Sequence, residues 1–218
     1  MNLLDVWPPL PLFIDDFRYY PCYPSELEEY RDNVAPALKH SHRVCTIDLT
    51  VIRPQLEIIR ALMQEPFPEL TNLNINLNIK TEQIPDQVPD SFLGGSAPRL
   101  RHFQLGGIPF PGLPKLLLST THLVTLCLRR TPHLGYISPK AIVTCLSTLT
   151  SLEYFTLMYS HLFESPDQEN QCSPPQARYV LPALTSFYFQ GVTDYLEYIV
   201  ARIDAPRLFC LSITFFDD

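Results

Sequence analysis

The residues of this chain with chemistry to offer are six histidines, six cysteines and one Arg-Arg pair. A metal centre needs ligands that converge, which on one helix means His at i and i+4. His40, His42, His102, His122, His133 and His161 never meet that spacing, and His40 and His42 read as a solvated helix end. Cys22, Cys45, Cys127, Cys145, Cys172 and Cys210 contain no C-x-x-C and no downstream His at zinc-finger distance. Scattered in this way, they read as reduced, mostly buried thiols rather than a disulfide framework. Arg129-Arg130 could mimic an arginine finger, which stabilises charge in phosphoryl transfer. The ordinary reading of that pair is contact with acidic neighbours or with a partner. No P-loop, G-x-G-x-x-G, H-E-x-x-H or G-x-S-x-G occurs. The expectation is therefore no catalytic residue, no metal and no cofactor.

The elements that position these side chains come from a repeat. Leu70-x-x-Leu73-x-Ile75 recurs as Leu100-x-x-Phe103-x-Leu105, Leu123-x-x-Leu126-x-Leu128 and Leu152-x-x-Phe155-x-Leu157. It returns as Leu184-x-x-Phe187-x-Phe189 and Leu208-x-x-Leu211-x-Ile213, and Val44-x-x-Ile47-x-Leu49 is a degenerate first copy. Spacings of 26, 30, 23, 29, 32 and 24 residues separate the seven starts. A leucine-rich repeat has a period of roughly 20–29 residues, so two spacings fall slightly outside it. Four copies carry Pro two residues before the first Leu: Pro68, Pro98, Pro182 and Pro206. Alternating apolar residues predict a short strand with one buried face. Between strands, 54–63, 138–146 and 193–203 have helical patterning, with Ser138 as an N-cap before Pro139. One such unit has too little apolar surface to fold alone, so the units must stack.

The predicted fold is an α/β leucine-rich-repeat solenoid of about seven irregular repeats. A curved parallel sheet lines its concave side, with helices and loops on the convex side. The repeats occupy 44–218, and 1–43 form an N-terminal capping segment. Within that segment Leu10–Ile14 is read as an edge strand over repeat one, with Trp7 beneath it, followed by a helix from Ser25 to Lys39. A ladder Asn at the ninth repeat position is met only by Asn78, which predicts irregular turns. The chain stops just after a repeat strand, so truncation at the C-terminus is expected. Two stretches break the period: 80–98 reads as a loop with one helical turn, and 160–179 as an acidic, Pro-bearing loop in which Ser165-Pro166 is a conceivable phosphorylation segment.

On this fold the third, fifth and seventh repeat positions face the groove. At roughly 4.8 Å per strand, six steps give a surface of about 29 Å. Its first half is rich in Asn and Gln, while its middle collects Arg129, Tyr154, Met158 and Tyr188, residue types that dominate binding hot spots. The candidate partner-binding residues are His102, Gln104, Arg129, Tyr154, Met158, Tyr188 and Gln190.

Composition narrows the partner. Lys+Arg 16 against Asp+Glu 23 leaves a net charge of −7, which argues against nucleic acid and its need for a basic face. Hydrophobic residues make up 46% and charged residues 18%, so the chain is not disordered. No apolar run approaches the roughly 20 residues of a membrane span, and the N-terminus has no signal-peptide pattern. The expectation is an intracellular protein, cytoplasmic or nuclear, with a protein partner and no membrane.

The segments 4–12, 37–44 and 66–73, with Trp7-Pro8-Pro9, His40-Ser41-His42-Arg43 and Pro66-Phe67-Pro68-Glu69-Leu70 as their marks, resemble a large family of F-box proteins from mushroom-forming fungi. Their C-terminal regions are leucine-rich-repeat-like. The resemblance implies a substrate-recognition role in a cullin-RING ubiquitin ligase, whose adaptor subunit binds the F-box. Leu10–Phe17 mimics the opening of that module only faintly, so adaptor binding is expected only where an F-box lies upstream. A stand-alone interaction protein with no ubiquitin link is the alternative.

Overall fold

The computed structural model describes residues 10–15, 33–78, 87–160 and 178–216. Eight strands form one sheet: β1 (Leu12–Asp15), β2 (Val44–Val51), β3 (Asn72–Leu77), β4 (His102–Gly106), β5 (Thr125–Thr131), β6 (Tyr154–Tyr159), β8 (Ser186–Gly191) and β10 (Cys210–Phe215). They lie side by side in chain order, and every neighbouring pair is parallel. A parallel pair needs a crossover connection. These crossovers carry α1 (Arg53–Leu62), α2 (Leu113–Leu117), α3 (Pro139–Leu146) and α4 (Thr193–Val200). Two short strands, β7 (Tyr179–Val180) and β9 (Ile203–Asp204), pair separately.

The period seen in the sequence is the period of the backbone. Six strands, β3 to β6, β8 and β10, are each entered through a turn closed by the first Leu of the repeat. Leu70 N–H donates to Phe67 O, Leu100 to Ala97, Leu123 to Thr120, Leu152 to Leu149, Leu184 to Leu181 and Leu208 to Ala205. Proline fits the second position of such a turn because its φ is preset there, which explains Pro68, Pro98, Pro182 and Pro206. The next residue then donates to its counterpart one repeat earlier: Thr71 to Cys45, Arg101 to Thr71, Val124 to Arg101, Glu153 to Val124, Thr185 to Glu153 and Phe209 to Thr185, all at 2.8–2.9 Å. Entry to these strands is thus regular even though a repeated Asn is missing. The irregularity lies in the connections.

One face of the sheet is apolar throughout. Ile47, Leu49, Leu73, Ile75, Phe103, Leu105, Leu126, Leu128, Phe155, Leu157, Phe187 and Phe189 are buried in a single core with α1–α4. Burying each such side chain contributes about 1.5–3 kcal/mol before the cost of ordering it. The helices start where the sequence says they should. Ser138 Oγ accepts the Ala141 N–H at 3.2 Å with Pro139 at N1. The buried Gln55 accepts the Ile52 N–H at 2.9 Å and so satisfies one open end of α1.

Some elements differ from expectation. The helix expected over 193–203 ends at Val200, because Ile203–Asp204 pair with Tyr179–Val180 instead. The short α2 was not foreseen, since five residues flanked by Pro and Gly carry no readable period. The turn in 80–98 falls at Phe92–Gly95, where Leu93, Gly94 and Gly95 all have positive φ. A Cβ on Gly94 would lie 2.7 Å from the Pro66 ring, so only glycine fits this approach to the preceding connection. At the first edge, Leu12–Asp15 is a strand beside β2. Residues 33–38 are helical, while Trp7, Ser25 and the Ser165-Pro166 segment lie outside the described residues. At the other edge, the core-side residues of β10, Leu211, Ile213 and Phe215, are 40–49% exposed.

Candidate recognition face

The second face of the sheet carries no helix-packed core, and its side chains follow from the register. Thr46, Asn72, His102, Thr125, Tyr154, Ser186 and Cys210 pair in one unbroken row across seven strands. Asp48, Asn74, Gln104, Cys127, Thr156, Tyr188 and Ser212 form the next. In the third row Thr50, Asn76, Gly106 and Arg129 are paired in order, and Met158, Gln190 and Thr214 continue it beyond an irregularity. All seven candidate residues therefore lie on this face. His102, Arg129 and Tyr154 are exposed; Gln104, Met158, Tyr188 and Gln190 are half-buried.

Three small members of the rows are not available for contact. Cys127, Thr156 and Ser186 are buried although they belong to the open face. Each sits in the ladder beside longer side chains: Cys127 beside Gln104, Thr156 beside Tyr188, and Ser186 beside Tyr154. At the roughly 4.8 Å strand spacing, neighbours of that size shade a short side chain from solvent.

The first half of the face is a polar relay. Asn74 Nδ2 donates to Asp48 Oδ1 at 2.7 Å, Asn76 Nδ2 to Asn74 Oδ1 at 2.8 Å, and Gln104 Nε2 to Asn76 Oδ1 at 3.4 Å. Every amide points its donor toward the Asp48 carboxylate, so the bonds polarise one another in one direction. The relay depends on Gly106, because a Cβ there would fall 2.2 Å from Asn76 Oδ1. Individual Asn and Gln residues were visible in the sequence, but their linkage was not. His102 Nδ1 lies 3.1 Å from Thr125 Oγ1 on the next strand.

The second half is aromatic and cationic. Tyr154 is 48% exposed, and Tyr188 Oη lies 3.5 Å from the Cys210 thiol, which donates to it. Between Leu128 and Thr131 the register of β5 against β6 shifts, so Arg129 and Arg130 together stand opposite Met158 alone. This is a β-bulge, and Arg130 takes φ +50° within it. In a regular strand Arg130 would follow Leu128 into the apolar face. With the extra residue both arginines stay exposed, and Thr131 resumes the buried row.

Among the described residues no three His, Cys, Asp or Glu side chains gather to hold a metal ion, and Cys45, Cys127, Cys145 and Cys210 are all free thiols. No helix among the described residues is long and apolar enough to cross a membrane. Comparison with protein-family models, with curated proteins and with solved structures finds no significant match to this chain.

Proposed function

We propose that the chain is a protein-recognition scaffold of the leucine-rich-repeat kind, with the open sheet face as the concave groove that seats a polypeptide partner. The observation that carries this reading is the register. It puts Arg129, Tyr154, Met158, Tyr188 and Gln190 on adjacent strands of one solvent-facing surface. Tyr, Arg and Met are enriched where binding energy concentrates, because each offers contact area with a polar or polarisable group at its end. Nothing in this reading involves catalysis or a cofactor. In a cell the chain would work in the cytoplasm or nucleus as the substrate-holding half of an F-box-type ubiquitin ligase receptor, with the adaptor-binding module supplied from outside these 218 residues. A stand-alone scaffold with no ubiquitin link is the second reading. It is favoured by Leu12–Asp15, the stretch that mimics an F-box opening, which is a sheet strand here.

Affinity capture with mass spectrometry tests the proposal on three versions of the chain: unaltered, Tyr154→Ala/Tyr188→Ala, and Lys115→Ala/Lys140→Ala on the exposed helical side. Loss of two hot-spot tyrosines should weaken a specific partner by about thirtyfold or more. The lysine version should retain it. Partners held equally by all three would refute the face, and co-capture of a cullin-RING adaptor would separate the ubiquitin reading from the stand-alone one.

A further inference from the structure

Arg129 and Arg130 are two cations brought to one surface by a strained bulge, and they are used differently. Arg130 Nη2 donates to Leu77 O at 3.1 Å, two strands away, and passes 3.4 Å from where a Gly106 Cβ would be. Its guanidinium is thus laid across β4 and tied to the backbone of β3. The Arg129 side chain makes no hydrogen bond or ion pair among the described residues and is exposed. The acidic residues of the same face do not answer it, since Asp48 terminates the amide relay on β2, three strands off, and Asp15 stands one strand beyond it on β1. A left-handed backbone at a non-glycine residue costs about 1 kcal/mol or more, and such strain concentrates where a functional arrangement needs it.

We infer that Arg129 is the anchor for a single carboxylate on an extended partner segment, whose neighbouring apolar side chain rests on Tyr154, Met158 and Tyr188. This rests on the open-face reading above. A free guanidinium presents a planar fork that matches a carboxylate with two parallel hydrogen bonds. Among the described residues of this face Arg129 alone keeps its whole fork open, since Arg130 gives Nη2 to Leu77 O, and the net charge of −7 opposes a strongly anionic ligand at longer range. One negative charge fits that balance better than a phosphate dianion or a nucleic-acid backbone. The spacing follows from the sheet. Met158 lies one strand from Arg129 in the same row, Tyr188 lies two strands and two residues away, and Tyr154 lies one strand and four residues away. At roughly 4.8 Å per strand and 3.3 Å per residue these are about 5, 12 and 14 Å, which an extended peptide spans in about two to four residues. The recognised element is an Asp or Glu placed two to four positions from a large apolar residue.

The test uses a phage-displayed library of random dodecapeptides panned on the full chain, with enriched peptides then titrated by fluorescence anisotropy. Enriched sequences should share an acid two to four positions from Leu, Met, Phe, Tyr or Trp. Arg129→Ala should weaken them about tenfold and Arg129→Lys by less, because the charge remains and the fork is lost. Arg129→Glu should restore binding to a peptide in which Lys replaces the acid. Arg130→Gly accepts the left-handed backbone without strain and should keep both the fold and most of the affinity for these peptides, because Arg130 is tied to Leu77 O and not to the ligand. Peptides that ignore Arg129 but are lost with Tyr154→Ala/Tyr188→Ala would overturn this inference and leave the open face standing as the binding surface. Peptides indifferent to both sets would overturn the inference and the face together. A tenfold preference for phosphoserine over Asp or Glu, or no enrichment at all, would overturn the carboxylate assignment.

Discussion

Phe155→Ala should lower the free energy of unfolding by about 3–5 kcal/mol, read from urea denaturation. Phe155 is fully buried, and its ring stacks on Phe187 with centroids 4.9 Å apart and planes 11° from parallel. Phe187 meets Phe189 at 6.4 Å, and Phe189 stacks on Tyr195 at 5.9 Å. Removing the first ring therefore opens a cavity at the end of an aromatic row that joins β6, β8 and α4. Domains of this size are stable by only about 5–15 kcal/mol, so the variant should lose a large share of its stability and unfold at markedly lower urea. Phe13→Ala is the matched control. Phe13 is 71% exposed on β1, and its loss should cost about 0.5 kcal/mol or less. A Phe155→Ala cost under 1 kcal/mol would mean that the stack is not packed as described.

Alkali should unfold the protein cooperatively, beginning just above pH 9. Three buried groups hold protons that the unfolded chain releases. Burial pushes the Cys145 thiol up to about 11 from 9.0, and burial is the leading cause raising the Tyr159 and Tyr195 phenols above 10.0. The two phenols share one acceptor: Tyr195 donates to Ile137 O at 2.8 Å and Tyr159 to the same oxygen at 3.3 Å. Above each unfolded-state value the unfolded chain binds fewer protons than the native one, so stability falls as pH rises; below pH 9 the contribution is fully present. Each group contributes a slope of up to about 1.4 kcal/mol per pH unit, and the three overlapping contributions sum to about 3 kcal/mol per unit between pH 10 and 11, where the native thiol begins to titrate as well. Tyr195→Phe should cost about 1 kcal/mol at pH 7, where it loses a hydrogen bond, yet flatten the alkaline decline. Cys145→Ala should remove the part of the decline between pH 9 and 11. Stability curves of the variants that stay parallel to the unaltered chain from pH 7 to 11 would contradict this origin.

The strands were legible because their signal is repeated. Seven copies of one apolar alternation set the strands, their register and the face of every side chain, from Thr46 opposite Asn72 to Tyr188 opposite Ser212. The helices were legible where a cap and a full period coincide, as at Ser138-Pro139, and not at Leu113–Leu117, which is too short to have a period. The bulge at Arg129-Arg130 was illegible for a different reason. Its left-handed residue is an arginine rather than glycine or asparagine, so no turn residue marks it. Burial of Cys127, Thr156 and Ser186 and the relay ending at Asp48 arise from neighbours on other strands, which a single repeat does not display. The seven candidate residues were placed on one face by alternation alone, while the division of labour between Arg129 and Arg130 needed the third dimension.

The central claim is that the open sheet face, and not the helical side, meets the partner. Photo-crosslinking tests it most directly, with p-benzoylphenylalanine placed in turn at Tyr154, at Thr125 and at Lys140. The first two positions lie on the open face and the last is exposed on α3. The account predicts that the captured partner crosslinks at Tyr154 and Thr125 and not at Lys140. Crosslinks confined to Lys140 would contradict it.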